Sequence, residues 1–153
     1  MSQVLVVDDD EVIRDTLYDL LSEEYSCQTA ESAEKALARL ATESYDVVLT
    51  DISMPGLSGL ELLGHVLQNY PKTPVIVISA ISDRDHAEGL IKLGAFDYLL
   101  KPFKLEMVEK SVRRAIEYSR RLTQDPTATA QEEPEARDEP GSDWQIIKNK
   151  GPA

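Results

Sequence analysis

Two short apolar runs end directly on aspartates. Val4-Leu5-Val6-Val7 leads into Asp8-Asp9-Asp10, and Val47-Val48-Leu49-Thr50 leads into Asp51. Each run is continuous and rich in β-branched residues, and helix-patterned sequence separates them. Strands of a parallel sheet covered on both faces read this way. Neighbouring strands lie about 4.8 Å apart. If these two are neighbours, their carboxyl ends gather Asp8, Asp9 and Asp51 in one crevice. Open α/β sheets bind ligands there, at the point where the strand order reverses.

Clustered carboxylates repel. Two unit charges about 5 Å apart cost roughly 3 kcal/mol at an effective dielectric near 20. Such a cluster takes up a proton or a cation. Hard oxygen ligands suit Mg²⁺, which favours one or two carboxylates together with a phosphate. Taken alone, Asp8 to Glu11 serve equally well as the acidic first turn of a helix. The second strand-ending aspartate is what favours the crevice.

The alternation continues along the chain. Ile13, Leu17, Leu20 and Leu21 form a helical stripe, and Ser26 to Thr29 reads as a second strand. Ser32 is a suitable N-cap for a helix with Ala33, Ala36, Leu37 and Leu40 inward. Ser53-Met54-Pro55-Gly56 is a turn, and a helix follows from about Ser58 with Leu60, Leu63 and Leu67 on one face. Val75-Ile76-Val77-Ile78 is a fourth strand ending at Ser79. The next helix carries Ala87, Leu90 and Ile91 and stops at Gly94, a C′ glycine. A fifth strand spans Phe96 to Leu100 and is broken by Lys101-Pro102. The last helix, running to about Leu122, has Leu105, Val108, Val112, Ala115 and Ile116 inward. Five β-α units predict an α/β fold, a doubly wound parallel sheet with helices on both faces.

These units occupy residues 1–122. Residues 123–153 differ in kind, being rich in Pro, Glu, Thr and Ala, with seven acids against three bases. They lack the apolar content that offsets chain entropy, so a disordered tail or linker is expected. The apolar patch Trp144-Gln145-Ile146-Ile147 within it reads as a disordered end or as a docking peptide. The net charge of -12 and pI near 4.5 argue against direct nucleic-acid or anionic-membrane binding. Arg113-Arg114 and Arg120-Arg121 are placed in the last turns of a helix, where cations belong. Cys27, the single cysteine, excludes an internal disulfide and a Cys/His metal site. No signal peptide and no apolar run of membrane-spanning length occur, so a cytoplasmic location is expected.

The runs ending in Asp8-Asp9-Asp10, Thr50-Asp51-Ile52-Ser53-Met54-Pro55-Gly56, Ile78-Ser79-Ala80 and Tyr98-Leu99-Leu100-Lys101-Pro102-Phe103, in this order and spacing, resemble the receiver domain of bacterial two-component response regulators. The resemblance covers roughly residues 3 to 121. It implies a flavodoxin-like sheet of order 2-1-3-4-5. It implies that Asp51 accepts a phosphoryl group from a sensor histidine kinase or phosphotransfer protein. Asp8, Asp9, Asp51 and the carbonyl of Ser53 would hold Mg²⁺. Ser79 would bond a phosphoryl oxygen, Lys101 would pair with the phosphoryl group, and the Lys101-Pro102 bond would be cis. Tyr98 would be the aromatic switch. A downstream protein target would meet the face of helix 4, strand 5 and helix 5, and the long last helix would suit a homodimer on phosphorylation. The resemblance implies no enzyme beyond the domain's own phosphoryl transfer and slow autodephosphorylation.

Residue chemistry agrees with these roles. A carboxylate is a usable phosphoryl acceptor, and the transfer chiefly requires in-line positioning and neutralised oxygens. Ser79 stands where threonine is commoner. Ser53 and Ile81 hold positions that tune dephosphorylation in the family. Apolar Ile81 cannot orient a water, so phospho-Asp51 should outlive that of an Ile81→Glu variant. An aspartyl-phosphate phosphatase would need a carboxylate two residues after its nucleophile, where Ser53 stands. A dinucleotide site would need a glycine-rich first turn. His65 and His86 read as surface or boundary residues of helices. A phosphorylation-independent scaffold of the same fold remains the open alternative.

Overall fold

The computed structural model describes residues 1–54, 59–80 and 84–124. Pro55 and Gly56 of the expected turn, Ile81, and the tail with its Trp144–Ile147 patch lie outside the described residues. Five strands alternate with five helices: β1 (Gln3–Val7), α1 (Glu11–Leu21), β2 (Ser26–Ala30), α2 (Ala33–Thr42), β3 (Val47–Asp51), α3 (Gly59–Asn69), β4 (Val75–Ala80), α4 (Arg84–Leu93), β5 (Asp97–Lys101) and α5 (Leu105–Gln124). All pairings are parallel, in the order β2-β1-β3-β4-β5. The flavodoxin-like order 2-1-3-4-5 is therefore observed. The chain passes from β1 outward to β2 and returns to β3, so the order reverses between β1 and β3.

Strand residues alternate between two buried layers. Leu5, Val7, Val48, Val75 and Val77 face α2, α3 and α4, meeting Ala33, Ala36, Leu40, Leu62, Leu63, Val66, Leu90 and Ile91. Val4, Val6, Val47, Leu49, Ile76 and Ile78 face α1 and α5, meeting Leu17, Leu21, Val108, Val112, Ala115 and Ile116. Both faces of every central strand are thus covered, which is why those runs are apolar without interruption. Burying one such side chain contributes about 1.5–3 kcal/mol.

The caps follow local chemistry. Asp10 caps α1 by accepting from the Val12 N–H at 2.9 Å. Ser32 caps α2 by accepting from the Lys35 N–H at 3.1 Å. Gly94 ends α4 at φ 127°, a conformation that a side chain disfavours, and its N–H donates to the carbonyls of Leu90 and Ile91.

Three details differ from the sequence reading. Leu60 and Leu105 are 41% and 43% exposed rather than inward. Each sits in the first turn of its helix, where the strand-to-helix connection sets the approach, and Leu62 and Val66 take the core face of α3. Arg113 and Arg114 lie mid-helix, because α5 extends to Gln124. β5 begins one residue late and includes Lys101, while β2 and β4 run on to Ala30 and Ala80.

Candidate functional site

Strand register assembles the site at the carboxyl edge of the sheet. Val7 pairs with Thr50, so Asp8 and Asp51 stand level as the next residues of β1 and β3. Asp51 pairs with Ile78, which puts Ser79 one step beyond, and Ala80 pairs with Lys101. Four strands thus deliver Asp8, Asp51, Ser79 and Lys101 to one edge.

Carboxylate oxygens of Asp8, Asp9 and Asp51 lie within 4.8 Å of one another. Asp8 is fully buried, Asp51 is 6% exposed, and Asp9 is open to solvent. The Lys101 ammonium donates to Asp51 Oδ2 at 3.3 Å and stands 3.7 Å from Asp8 Oδ2. The Ser53 N–H donates to Asp51 Oδ1 at 3.0 Å. The Asp10 N–H donates to Asp8 Oδ1 at 2.9 Å. Asp8 Oδ2 is buried and accepts no hydrogen bond. Burial drives the Asp8 carboxyl up from 3.8 to about 6. The Asp10 N–H opposes that shift, and repulsion from Asp51 adds to it; Lys101 and Asp9 act more weakly, in opposite directions.

An all-oxygen donor set with one buried oxygen lacking a donor is the arrangement a hard divalent cation completes. The residues present therefore fit Mg²⁺. Asp10 is not among them, because its carboxylate is engaged in capping α1.

The remaining side chains sit further out. Ser79 is 1% exposed, and its hydroxyl donates to the Ala80 carbonyl at 3.4 Å rather than to Asp51. Tyr98 is half-buried on β5, with its hydroxyl 3.4 Å from Glu88 Oε2 of α4. The Lys101–Pro102 peptide is cis. His65 and His86 are exposed, and Cys27 is a buried residue of β2.

Two residues of the site escaped the sequence reading. Gly59 opens α3 so close to β3 that a Cβ there would lie 2.6 Å from Ile52 Cα and would collide with the Asp51 carbonyl oxygen. Only glycine permits that approach. A glycine at the start of a helical pattern, just after a strand-ending aspartate, was the available signal. Arg14, in the second turn of α1, donates from its guanidinium to the Asp8 carbonyl at 2.7 Å. Its four-residue spacing from the N-cap Asp10 was the corresponding cue.

Comparison with known proteins agrees with this geometry. Residues 4–113 match the response regulator receiver domain. The DNA-binding transcriptional regulator NtrC of Salmonella typhimurium is 45% identical over 116 residues, which are 75% of this chain and 25% of that protein. The response regulator protein FleR of Pseudomonas aeruginosa is 39% identical over 114 residues, 74% of this chain and 24% of FleR. The chain spans about a quarter of the length of these curated relatives. Among solved structures, a response regulator receiver domain protein from Clostridium thermocellum superposes with a TM-score of 0.75 at 32% identity, covering 80% of this chain and 99% of that one. NtrX from Brucella abortus superposes with a TM-score of 0.77 at 35% identity, covering 81% of this chain and 29% of that one. No helix among the described residues is long and apolar enough to cross a membrane. With the match extending over most of the chain and the carboxylates and lysine gathered at one sheet edge, the chain belongs to the response regulator receiver domain family.

Proposed function

We propose that this domain is a phosphorylation-dependent switch in two-component signalling, and that Asp51 is the phosphoryl acceptor. The observation that carries the reading is the buried Asp51 carboxylate, 3.3 Å from the Lys101 ammonium and clustered with two further carboxylates. A sensor histidine kinase or phosphotransfer protein is the donor. An Asp51 oxygen attacks the phosphorus in line, forming an O–P bond as the P–N bond to the donor's histidine breaks. The departing imidazole keeps the electron pair and takes up a proton.

Asp8, Asp9, Asp51 and the Ser53 carbonyl are the groups that would hold Mg²⁺, which supplies positive charge to the phosphoryl oxygens when bound. Lys101 adds a second positive charge from β5, and the Ser53 N–H orients the acceptor carboxylate. Phosphorylation adds close to two negative charges and three acceptor oxygens beside β4. Ser79 turns from the Ala80 carbonyl towards them, and Tyr98 leaves Glu88 for the vacated space. The α4-β5-α5 face changes shape for a downstream protein. Residues 1–122 form this switch, and 123–153 serve as tail or linker. Relatives named as transcriptional regulators support a role in gene control.

Intact mass after incubation with acetyl phosphate and Mg²⁺ tests the reading. Wild type gains one phosphoryl group, and Asp51→Asn gains none. A gain in both places the acceptor elsewhere. Failure in the wild type, with acetyl phosphate and with cognate kinase alike, favours the phosphorylation-independent scaffold.

A further inference from the structure

The Asp9 carboxylate is the exposed member of the cluster, and among the described residues no group hydrogen-bonds it. Its direction is therefore set by the backbone that carries it. The peptide joining Asp8 to Asp9 is a rigid plane, so fixing the Asp8 carbonyl also fixes where Asp9 leaves the chain. Three bonds hold Asp8. Its N–H donates to the Ala30 carbonyl at 3.1 Å, its Oδ1 accepts from the Asp10 N–H, and its carbonyl accepts from Arg14 at 2.7 Å. Only the last of these acts on the Asp8–Asp9 peptide itself. Arg14 is suited to the task, being half-buried and anchored in α1 by its own N–H, which donates to the Asp10 carbonyl at 3.0 Å.

We propose that Arg14 is a positioning residue for the cation site, clamping the Asp8–Asp9 peptide so that the Asp9 carboxylate faces Asp8 and Asp51. This rests on the reading of that cluster as a Mg²⁺ site. The sign of the effect separates positioning from plain charge. A guanidinium beside a cation site repels the cation, so removing it as a mere charge would tighten Mg²⁺ binding. Removing a clamp loosens it, typically by 10- to 100-fold for groups that orient a metal ligand.

The test is calorimetric Mg²⁺ titration of the whole chain for wild type, Arg14→Gln, Arg14→Lys and Asp9→Asn, with urea unfolding in EDTA as the measure of folding. Arg14→Gln should bind Mg²⁺ about tenfold or more weakly. Arg14→Lys, which retains the charge and a donating ammonium in place of the guanidinium fork, should recover part of the loss and serves if the glutamine variant folds poorly. In the Asp9→Asn background the Arg14→Gln change should cost little more, since both act through one carboxylate. Affinity equal to or tighter than wild type in Arg14→Gln overturns the proposal. So does a full loss that persists in the Asp9→Asn background. A wild type that binds no Mg²⁺ overturns the metal-site reading and this inference with it, an outcome distinct from the other two.

Discussion

Asp8→Asn should make the metal-free protein more stable, although it removes a carboxylate from the proposed Mg²⁺ site. The Asp8 carboxylate is fully buried, and its carboxyl is pushed up from 3.8 to about 6. The folded state therefore binds this proton more tightly than the unfolded chain does. The stability from that preference is complete below about pH 4 and is lost as the pH rises through about 6. At neutral pH the loss amounts to about 3 kcal/mol, each tenfold change in proton affinity being worth about 1.4 kcal/mol. An amide in the same place carries no charge, and its oxygen still accepts from the Asp10 N–H. The attraction of Lys101 is already contained in that shift, but the amide NH2 replaces the oxygen that faces the Lys101 ammonium at 3.7 Å, and burying it there offsets part of the gain, so a net gain of about 1–2 kcal/mol is expected. Urea unfolding in EDTA measures it, at about pH 7.5 and again at about pH 4.5, where the gain should shrink. Added Mg²⁺ should raise the wild type more than the variant, since binding to the folded state stabilises it. A variant less stable than wild type in EDTA at the higher pH, or a gain equal at both, would refute the reasoning.

Three further changes probe other parts of the site and its support. Gly59→Ala should cost about 2 kcal/mol or more in urea unfolding and slow phosphorylation by acetyl phosphate, because the methyl group must push α3 away from Asp51; wild-type behaviour in both assays would count against the close approach. Lys101→Met should lower stability in EDTA at neutral pH by about 1 kcal/mol while tightening Mg²⁺ binding, since it leaves Asp8 and Asp51 without their cation; weaker Mg²⁺ binding in the titration would contradict this. Ser111→Ala should cost about 1–2 kcal/mol, measured by urea unfolding, by removing the hydroxyl that donates to buried Asp97 Oδ2 at 2.7 Å; an unchanged midpoint would show that the bond contributes nothing.

Strands and their ends were legible because two signals coincide there. Val4 to Val7 and Val47 to Leu49 are apolar throughout, as burial on both faces demands, and an aspartate marks the carboxyl end of each of these two strands. The convergence of Asp8 and Asp51 followed once strand order was inferred. Helix rotation was less legible. α3 carries leucines at 60, 62, 63 and 67, which support more than one inward stripe; the strand it packs on decides, and it selects Leu62, Leu63 and Val66. Gly59 and Arg14 were missed for a related reason. A close backbone approach and a side chain bonding a carbonyl six residues back leave no periodic trace. Ser79 was legible in place but not in orientation, since a hydroxyl turns towards whichever acceptor lies nearest.

The far end of α5 is tied down at the opposite pole from the aspartates. The Ser119 hydroxyl donates to the Lys72 carbonyl at 3.2 Å, and the Arg120 guanidinium donates to Ser2 Oγ at 2.7 Å. Twenty residues of helix make a rod about 30 Å long, starting beside Lys101 and pinned where β1 and β4 begin. The helix therefore ends, at Gln124, on the side of the sheet facing away from the carboxylate cluster. A rod held at one end and disturbed at the other pivots rather than slides. A small tilt near Lys101 would reach any attached module as a change of heading, with the pin at Ser119 and Arg120 as its fulcrum.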